Sequence, residues 1–522
     1  MNLSLVFSRA EVGIKAPLVS IEVHLLNGLP RTQIVGLAET AVRESKDRIK
    51  SALINSGYEY PRRVITINLG PADLPKHGCR YDLPIAMGIL AAQGLISQDT
   101  LKKYELMGEL SLSGDIKPVP GVLPAAMQIL DTNRSLIIPL DNGQEASLLD
   151  SDRILTARNL QDIVGFFQDT SSGHFLKAAS RRNFVTEDST TVPTKDLQLS
   201  DVKGQYLGKR ALAISAAGGH NLLMIGPPGS GKSMLASRMT CLLPPMNQKD
   251  VLELAAIRSV AALNTSGQSD AIISERSKYS RPFRTPHHSI SSVALCGGGS
   301  SPRPGEISLA HNGVLFLDEL PEFSRSALES LREPMESGII CISRARQKVT
   351  YPARFQLVAT MNPCPCGYAG SEDNRCECTP EKVLRYRSRL SGPLLDRIDL
   401  HIEVCPLPRT ELLNSTGQTE PEKERHLVNQ IIKVREQSLK SRGRINAWLT
   451  PGEIEKYCRL NNADKRLLDT ATERLGLSPR AYFKILKIAL TISELDQSTG
   501  INTDHLTEAI GYRKLDRTRQ KP

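Results

Sequence analysis

The stretch GPPGSGKS at residues 226–233 decides the fold of this 522-residue chain. It matches the pattern G-x-x-x-x-G-K-[ST] at every fixed position, and it lies between the strand-like NLLMI and the helix-like MLASRM. A loop of this kind wraps its backbone N–H groups around phosphate oxygens, and the following helix N-terminus adds partial positive charge. We therefore predict a nucleotide site in which Lys232 reaches the β- and γ-phosphates, Ser233 binds Mg²⁺ and the loop is formed by Gly226, Pro227, Pro228, Gly229, Ser230 and Gly231.

The stretch VLFLDE at residues 314–319 is the expected partner of this loop. Its four apolar residues predict a central strand, and two carboxylates follow at the end of that strand. We expect Asp318 to hold Mg²⁺, directly or through water. Glu319 is expected to polarise the water that attacks the γ-phosphate.

A third apolar stretch, FQLVATMN at residues 355–362, ends at Asn362. Adjacent strands of a parallel sheet end at the same edge, so we expect Asn362 to lie near Glu319 and to orient the attacking water. A turn-forming asparagine at a strand end, without a role in catalysis, is the alternative interpretation.

Composition divides the chain into four segments. Residues 1–168 alternate strand-like runs, such as Ser20 to His24, with helical runs, whereas residues 169–197 are polar, rich in Ser and Thr and typical of a linker. Residues 198–405 carry apolar strands separated by helices, which predicts a parallel α/β sheet with covered faces. Residues 406–522 have helical periodicity.

Bulk composition favours a basic globular protein. Hydrophobic residues make up 40% of the chain and charged residues 23%, and the formal net charge is +10, which favours a polyanionic partner. The N-terminus lacks the apolar core of a secretory signal, and no apolar run approaches the roughly 18 residues of a membrane span. We therefore expect a cytoplasmic protein without a membrane segment.

Four cysteines form the pattern CxC-x9-CxC directly after Asn362: Cys364, Cys366, Cys376 and Cys378. Four thiolates suit the tetrahedral preference of Zn²⁺, which predicts a structural zinc site. The CxC spacing is tighter than the usual CxxC. Free or redox-active thiols therefore remain the alternative, as do cysteines without a function.

At this point the chain resembles the magnesium-chelatase-like AAA+ ATPases of the YifB/ComM family. The resemblance extends over nearly the whole length and depends on several motifs in combination. Besides GPPGSGKS, these are DVKGQ (201–205), RPFRTPHHSIS (281–291), GEISLAHNGVLFLDELPEF (305–323), ATMNPCPCG (359–367), SGPLLDRIDLHIEV (391–404) and LSPRAYFKILKIALTISEL (477–495).

The resemblance implies an α/β multidomain fold. It consists of a Lon-protease-like α+β N-terminal domain over residues 1–168, an AAA+ P-loop core with a parallel sheet over 198–405 and a C-terminal helical lid over 406–522. The cofactors implied are ATP and Mg²⁺, and the implied assembly is a hexameric ring.

The resemblance also assigns site residues. Asn362 matches sensor 1, Arg397 matches an arginine finger that enters a neighbouring subunit's site, and Arg480 matches sensor 2. Arginine suits these positions because it stays charged and its fork binds phosphate oxygens. Arg385 and Arg389 are rival finger candidates, and a local salt bridge from Arg397 to Asp396 or Asp399 is the alternative.

The stretch GIICISRARQKVTYPARF at residues 338–355 predicts a hairpin, and in related ring ATPases such a hairpin points into the pore. Arg344, Arg346 and Lys348 at its tip would bind successive DNA phosphates. A solvated hairpin is the alternative. The pair His287-His288 is not predicted to bind a metal, because adjacent side chains seldom chelate one ion.

The N-terminal loop KHGCRYD at residues 76–82 bears on protease activity. Lon needs a serine activated by a lysine, and this loop contains no serine. Cys79 and His77 do not form the geometry of a catalytic pair, so we expect a scaffold. Lys76 and Arg80 are its candidate phosphate contacts.

The preferred reading is an ATP-hydrolysing hexameric motor on single-stranded or branched DNA. It would drive branch migration during natural transformation, with recombinase and other transformation proteins as candidate partners. The alternative is a magnesium-chelatase-type ATPase subunit that drives metal insertion or remodels a protein client. An ATP-dependent protease is disfavoured by the missing Ser-Lys dyad. A nucleotide-gated scaffold is disfavoured by the combination of Glu319, Asn362 and Arg397.

Overall fold

A computed structural model gives the fold of the chain. It describes residues 2–36, 40–168, 176–179, 198–261, 280–299, 302–344, 347–370, 375–406 and 421–513.

The N-terminal unit is built on a mixed sheet with the order β10-β9-β8-β5-β1-β2-β4-β3. Its described strands are β1 (Leu3–Arg9), β2 (Leu18–Leu26), β3 (Arg31–Val35), β4 (Val64–Gly70), β5 (Tyr104–Leu106), β8 (Ser135–Pro139), β9 (Ile154–Ala157) and β10 (Lys177–Ala178), with β6 (Glu109–Leu110) and β7 (Ile116–Lys117) as a separate pair. The helices of this unit are α1 (Thr40–Asn55), α2 (Asp82–Ala92), α3 (Gln98–Leu101), α4 (Val122–Ile129), α5 (Gly143–Ala146) and α6 (Leu160–Gln168).

The core of this unit lies between the sheet and α2. Strand β2 alternates buried and more exposed side chains, as one covered face requires. Every residue of α2 is buried. Residues 176–179, inside the predicted linker, add β10 antiparallel to β9, and Ala179 is fully buried.

The central unit, residues 198–405, contains a sheet whose described strands are all parallel, with the order β12-β15-β18-β11-β19. These strands are β11 (Leu222–Ile225), β12 (Phe283–Arg284), β15 (Val314–Leu317), β18 (Gln356–Met361) and β19 (Leu400–Glu403), and two hairpins add β13 (Gly297–Gly298) with β14 (Arg303–Pro304) and β16 (Ile339–Arg344) with β17 (Gln347–Pro352). The helices of the unit are α7 (Tyr206–Gly218), α8 (Lys232–Ser237), α9 (Met239–Leu242), α10 (Gln248–Ala261), α11 (Ser292–Cys296), α12 (Glu306–Leu309), α13 (Arg325–Ser330), α14 (Arg332–Ser337), α15 (Pro380–Arg387) and α16 (Gly392–Leu395).

Both faces of this sheet are covered, as its continuous apolar strands predict. Val314 and Phe316 enter the core on one side, whereas Leu315 and Leu317 enter the core on the other. Strand β18 lies between β11 and β15, so the polar ends of these three strands meet at one edge.

The C-terminal helices pack on α7 and share its hydrophobic core. They are α17 (Pro421–Arg442), α18 (Pro451–Tyr457), α19 (Asn462–Leu475), α20 (Pro479–Leu495) and α21 (Thr503–Gly511). Serine, threonine or asparagine caps begin several of them, and Ser478 accepts the amide of Ala481 at the start of α20. None of the helices in the described ranges is both long and apolar enough to cross a membrane.

Among the described residues, the N-terminal unit contacts the central unit at α10 and at the β16–β17 hairpin. The amide of Gly121 donates to the carbonyl of Ser259 in α10 at 3.0 Å. The turn at residues 12–15 lies against the hairpin, where a Cβ added to Gly13 would sit 2.6 Å from Cγ1 of Val349. The N-terminal unit therefore packs against strand β17 of this hairpin at Val349, two residues from Gln347 at the tip end of the strand.

The structure corrects the prediction that Lys76 and Arg80 contact phosphate. Lys76 has no exposed surface and donates to the carbonyl of Pro71. Arg80 is 3% exposed, pairs with Glu11 and donates to the carbonyl of Pro120 at 3.1 Å. Both cations are committed to internal acceptors, because a buried charge without partners would be strongly destabilising.

Candidate functional site

The GPPGSGKS loop connects the end of β11 to the start of α8, as its sequence predicts. Gly229 and Gly231 have φ values of +75° and +89°, which residues other than glycine rarely adopt. This backbone conformation turns successive N–H groups toward the inside of the loop. Lys232 is 8% exposed, and its Nζ donates to the carbonyls of Gly226 and Pro227, each at 2.8 Å. Its ammonium group is therefore held over the loop where phosphates would bind.

The two carboxylates after β15 face this loop. Ser233 Oγ donates to Asp318 Oδ2 at 3.1 Å, so two oxygen ligands suited to Mg²⁺ lie side by side. Thr360 of β18 donates its hydroxyl to Asp318 Oδ1 and accepts the amide of Glu319 at 3.2 Å. Glu319 has a left-handed backbone with φ of +53°, and its carboxylate is exposed toward the site.

Asn362 follows β18 and reaches the same place. Its Oδ1 accepts a hydrogen bond from Lys232 Nζ at 3.3 Å. Burial lowers the pKa of Lys232, and the carboxylates of Asp318 and Glu319 oppose that shift. The structure thus brings together five residues that the sequence predicts for ATP hydrolysis: Lys232, Ser233, Asp318, Glu319 and Asn362.

A histidine that sequence reasoning set aside also reaches this edge. Nδ1 of His288 lies 3.9 Å from Oε2 of Glu319, and its ring lies 4.1 Å from that of His287, measured between centroids. Both histidines follow β12, which pairs with β15. His288 is therefore a neighbour of the predicted catalytic carboxylate.

Arg397 and Arg480 converge on one acidic residue, Glu336 of α14. Arg397 Nη2 lies 2.8 Å from Glu336 Oε1, and Arg480 Nη1 lies 3.5 Å from the same oxygen. The Arg397 side chain is 10% exposed and also donates to the carbonyls of Arg332 and Pro393. Its ion-pair partner is thus Glu336, not Asp396 or Asp399, which the sequence offered as alternatives.

The rival finger candidates differ from Arg397. Arg389 Nη1 lies 2.8 Å from Glu322 Oε2 and donates to the carbonyl of Pro321. Arg385 is exposed on α15. Arg397 lines a surface cavity of about 400 Å³ with Arg332 and Glu336, whereas neither rival lines it.

A buried ion pair joins the C-terminal helices to the start of β19 in the central sheet. Asp399 Oδ1 lies 2.7 Å from Lys484 Nζ of α20, and Asp399 Oδ2 accepts the amide of Asn221 at 2.8 Å. Burial alone would raise the pKa of Asp399, but Lys484 and His220 lower it to about 2. Since Lys484 is one turn beyond Arg480, this pair fixes the Arg480 segment relative to Arg397.

The four cysteines form a compact cluster at the exit of β18. All four Sγ atoms lie within 4.8 Å of one another, and Cys376 Sγ lies 3.7 Å from that of Cys364 and 3.6 Å from that of Cys366. A backbone hydrogen bond from Tyr368 and a bond from Cys364 lower the pKa of Cys366 to about 6. A tetrahedral site with metal–sulfur bonds near 2.3 Å separates its sulfurs by about 3.8 Å. The cluster therefore has the donor set and nearly the spacing of a four-thiolate metal site.

The predicted hairpin is confirmed as β16 and β17, in antiparallel register with Arg344 opposite Gln347. Arg344 and Lys348 are exposed near its tip. Arg346 lies outside the described residues.

Sequence reasoning missed Thr360 and Glu336. Thr360 is an unremarkable strand residue until β15 and β18 are paired, and Glu336 is one of two glutamates on a short helix. A hydroxyl two residues before Asn362 was the one available signal for Thr360.

Comparison with known proteins gives matching family models in each part of the chain. The matches are to "Subunit ChlI of Mg-chelatase" over residues 21–142, "Magnesium chelatase, subunit ChlI" over 198–412 and "Magnesium chelatase, subunit ChlI C-terminal" over 421–513.

Several relatives align over nearly the whole chain, among them the following two. The chain is 48% identical to the uncharacterized protein YifB of Escherichia coli (strain K12) over 517 residues, which cover 99% of this chain and 98% of YifB. It is also 48% identical to competence protein ComM of Haemophilus influenzae over 522 residues, which cover 100% and 99%.

A shorter similarity links the chain to a replication protein. It is 32% identical to maternal DNA replication licensing factor mcm6 of Xenopus tropicalis over 96 residues, which cover 18% of this chain and 10% of that protein. The full-length identities and the three matched family models lead to one conclusion. The chain belongs to the YifB/ComM family of magnesium-chelatase-like AAA+ ATPases.

Proposed function

We propose that this protein is an ATP-hydrolysing AAA+ motor that works on single-stranded or branched DNA as a hexameric ring and drives branch migration during natural transformation. The observation that carries the proposal is the convergence of Lys232, Asp318, Glu319 and Asn362 at one sheet edge, in a unit that also carries an exposed basic hairpin. A cytoplasmic location follows from the nature of the DNA substrate.

In the proposed reaction the loop at residues 226–231 binds the phosphates of ATP through its N–H groups. Lys232 would neutralise charge on the β- and γ-phosphates, and Ser233 and Asp318 would hold Mg²⁺, which would supply stabilisation of the charge that develops in phosphoryl transfer. Glu319 accepts a proton from the attacking water, which Asn362 helps to orient. Thr360 holds the carboxylate of Asp318 and the backbone amide of Glu319 through its hydroxyl and so acts as a positioning residue.

In the proposed ring Arg397 is the arginine finger that enters a neighbouring subunit's site, and Arg480 is sensor 2. Both guanidinium groups share the carboxylate of Glu336, and in the described chain neither is bonded to residues 226–233. A phosphate group would match the acceptor geometry that Glu336 presents to them. We infer that Glu336 occupies these arginines until the neighbour's ATP arrives.

The hairpin is the proposed DNA contact. Arg344 and Lys348 are exposed on opposite strands near its tip, and Arg346 is placed between them by the sequence. Charges at such a tip bind successive phosphates and release counterions, which makes binding depend on salt. The net charge of +10 agrees with a polyanionic partner.

The N-terminal unit is proposed as a Lon-like scaffold without protease activity, and residues 406–522 as the helical lid. The contact between Gly13 and Val349 supports this proposal, because it joins the N-terminal unit to strand β17 of the hairpin. Lys76 donates to the carbonyl of Pro71, not to a serine hydroxyl, which agrees with the absence of a Ser-Lys dyad from the loop.

The relatives' names support the DNA proposal. ComM is named a competence protein, and mcm6 is named a DNA replication licensing factor. The matched models' description as a magnesium chelatase subunit favours the second candidate, an ATPase subunit that drives metal insertion or remodels a protein client. Recombinase and other transformation proteins are proposed partners of the first candidate alone.

We also propose that Cys364, Cys366, Cys376 and Cys378 bind structural Zn²⁺. The sulfur separations support this, because they approach those of a tetrahedral four-thiolate site. Metal analysis of protein purified without chelators should give about one equivalent of zinc per chain, as four protein ligands per ion require.

The experiment that tests the DNA proposal is migration of a synthetic branched junction with ATP at one stated salt concentration. Wild type should resolve the junction, and the double variant Arg344→Ala/Lys348→Ala should lose most of that activity while it keeps its basal ATPase rate. A matched control, Lys433→Ala/Lys440→Ala, removes the same charge from two exposed lysines of α17, away from the hairpin. If the hairpin variant migrates junctions as fast as wild type, the hairpin is not the DNA contact.

A further inference from the structure

The cysteine cluster touches the nucleotide loop directly. Gly367 lies within the cluster loop, and its backbone is seated against the ring of Pro228 in the phosphate-binding loop. A Cβ built on Gly367 would lie 2.5 Å from Pro228 Cδ and 2.7 Å from its Cγ, closer than a side chain tolerates. The cluster loop, residues 364–370, therefore packs against the predicted phosphate-binding loop and supports it.

Two hydrogen bonds join the cluster loop to Cys364. The amide of Gly367 donates to the carbonyl of Cys364 at 3.0 Å, and the amide of Ala369 donates to Cys364 Sγ at 3.2 Å. Cys364 itself is fully buried. The position of Gly367 thus depends on where Cys364 is held.

The cysteine cluster is also connected to the predicted phosphate site through the main chain. Asn362, which accepts the hydrogen bond from Lys232, is two residues before Cys364. The intervening Pro363 accepts a hydrogen bond from Arg387 Nε at 3.3 Å. A displacement of Cys364 would therefore shift Asn362 through the main chain and would also change the contact of Gly367 with Pro228.

We propose that metal occupancy of the four-cysteine cluster sets the affinity of the protein for nucleotide, through the contact of Gly367 with Pro228. The ligand class is a thiophilic tetrahedral cation, of which Zn²⁺ is the expected member. This inference rests on the zinc site of the proposed function and adds a regulatory consequence to it. With metal bound, Cys364 and Cys376 are fixed relative to each other and the cluster loop is rigid.

Without metal, the cluster loses the bonds that join its two CxC pairs. No metal–sulfur bonds then hold together the four sulfurs, which lie within 4.8 Å of one another. Thiolates among them repel one another. The loop from Cys364 to Gly370 becomes free to move away from Pro228. The phosphate-binding loop must then be ordered by the nucleotide itself, so binding is weaker because ordering opposes it.

Two glycines of the cluster loop provide a matched pair of variants. Gly367 and Gly370 have similar φ values of +89° and +82°, so alanine strains the backbone similarly at both. Gly367 meets Pro228, whereas nothing lies within 4 Å of a Cβ at Gly370. Gly367→Ala should weaken binding of a fluorescent ADP at least fivefold at unchanged zinc content, and Gly370→Ala should change it less than twofold.

A double variant identifies the contact. In Pro228→Ala the Cδ and Cγ atoms that meet the new Cβ are gone, so adding Gly367→Ala should cause little further loss of ADP affinity. Additive effects of the two substitutions would show that they act independently and would overturn the contact.

Metal removal tests the dependence itself. Protein stripped with a chelator should bind fluorescent ADP at least fivefold more weakly, and Zn²⁺ alone should restore the affinity. Cys378→Ser should reproduce the loss, and Cys405→Ser, which changes an exposed cysteine outside the cluster, should not.

The outcomes separate the two claims. Zinc below a tenth of an equivalent in untreated protein overturns the zinc site and the inference with it. Zinc-free protein that keeps its melting temperature and binds ADP as wild type does overturns the inference alone. If stripping unfolds the protein, the glycine pair decides: equal ADP affinities for Gly367→Ala and Gly370→Ala overturn the inference.

Discussion

Lys232 Nζ and Asn362 Oδ1 are joined at 3.3 Å although 130 positions separate the two residues in the chain. The bond crosses from the phosphate-binding loop to the end of β18, whose strand lies directly between β11 and β15. Sheet order thus brings the cation, the amide and the carboxylates of β15 to one edge. The following predictions concern this edge and what surrounds it.

Glu319→Gln should bind ATP with near wild-type affinity and lose at least about a hundredfold in kcat, because glutamine cannot accept a proton from the attacking water. ATP binding and steady-state hydrolysis measured on the same sample check this. Glu322→Gln is the matched control, since Glu322 lies in the same segment but pairs with Arg389. Undiminished turnover in Glu319→Gln would remove that residue from its role.

Thr360→Val should reduce kcat by about tenfold or more, because valine keeps the shape but lacks the hydroxyl that binds Asp318 and the amide of Glu319. A hydrogen bond to a charged group contributes about 1.5–3 kcal/mol, which sets this magnitude. Thr360→Ser retains the hydroxyl and should recover most of the rate. Equal rates for the two variants would show that the hydroxyl is not used.

Arg397→Ala should hydrolyse ATP at least about a thousandfold more slowly, in the range reported for the loss of an arginine finger. Mixing it with the equally inactive Lys232→Ala should restore activity. A mixed interface then pairs an intact Lys232 with a neighbour's intact Arg397. ATPase rate against mixing ratio measures the effect. A mixture as inactive as its components would contradict action across subunits, and Arg385→Ala is the control.

Acidification should destabilise the protein through His220. Burial lowers the pKa of His220 from 6.5 to about 4, with Asp399 opposing and Lys487, Lys484 and Arg435 adding to the decrease. Between these values the unfolded chain binds the proton and the folded chain does not, so stability falls as pH falls from 6.5 toward 4. At about 1.36 kcal/mol per pKa unit, the loss is at most about 3 kcal/mol.

His220→Gln should remove that part of the pH dependence, because glutamine can keep the bond that His220 Nε2 makes to Thr491 at 2.8 Å but does not titrate. Melting temperatures at pH 7 and pH 5 check this, read as the difference between variant and wild type. An identical pH-dependent decrease in both proteins would exclude His220 as its source.

Local patterns predicted the parts of the site that depend on sequence neighbours. The loop at 226–233, the strand before Asp318 and the hairpin at 338–355 each carry their own apolar runs and turn residues, so their conformation follows from short-range rules. The edge shared by Asp318 and Asn362 could also be predicted, because parallel strands end together.

What the sequence could not give depends on contacts between distant elements. Lys76 and Arg80 look like surface cations in the chain, yet the fold buries them against Pro71 and Glu11. Glu336 gains its importance from α16 and α20, which bring Arg397 and Arg480 to it from 61 and 144 positions away. No local pattern marks such a partner.

The measurement that tests the central claim most directly is the steady-state ATPase rate with and without single-stranded and branched DNA, at one stated ionic strength. Lys232→Ala serves as the blank, since it lacks the cation that the phosphates require. We predict that DNA raises the wild-type rate severalfold, and that higher salt reduces this stimulation because phosphate contacts weaken. A robust wild-type rate that neither DNA form changes would contradict a DNA motor and favour a protein or metal-insertion client.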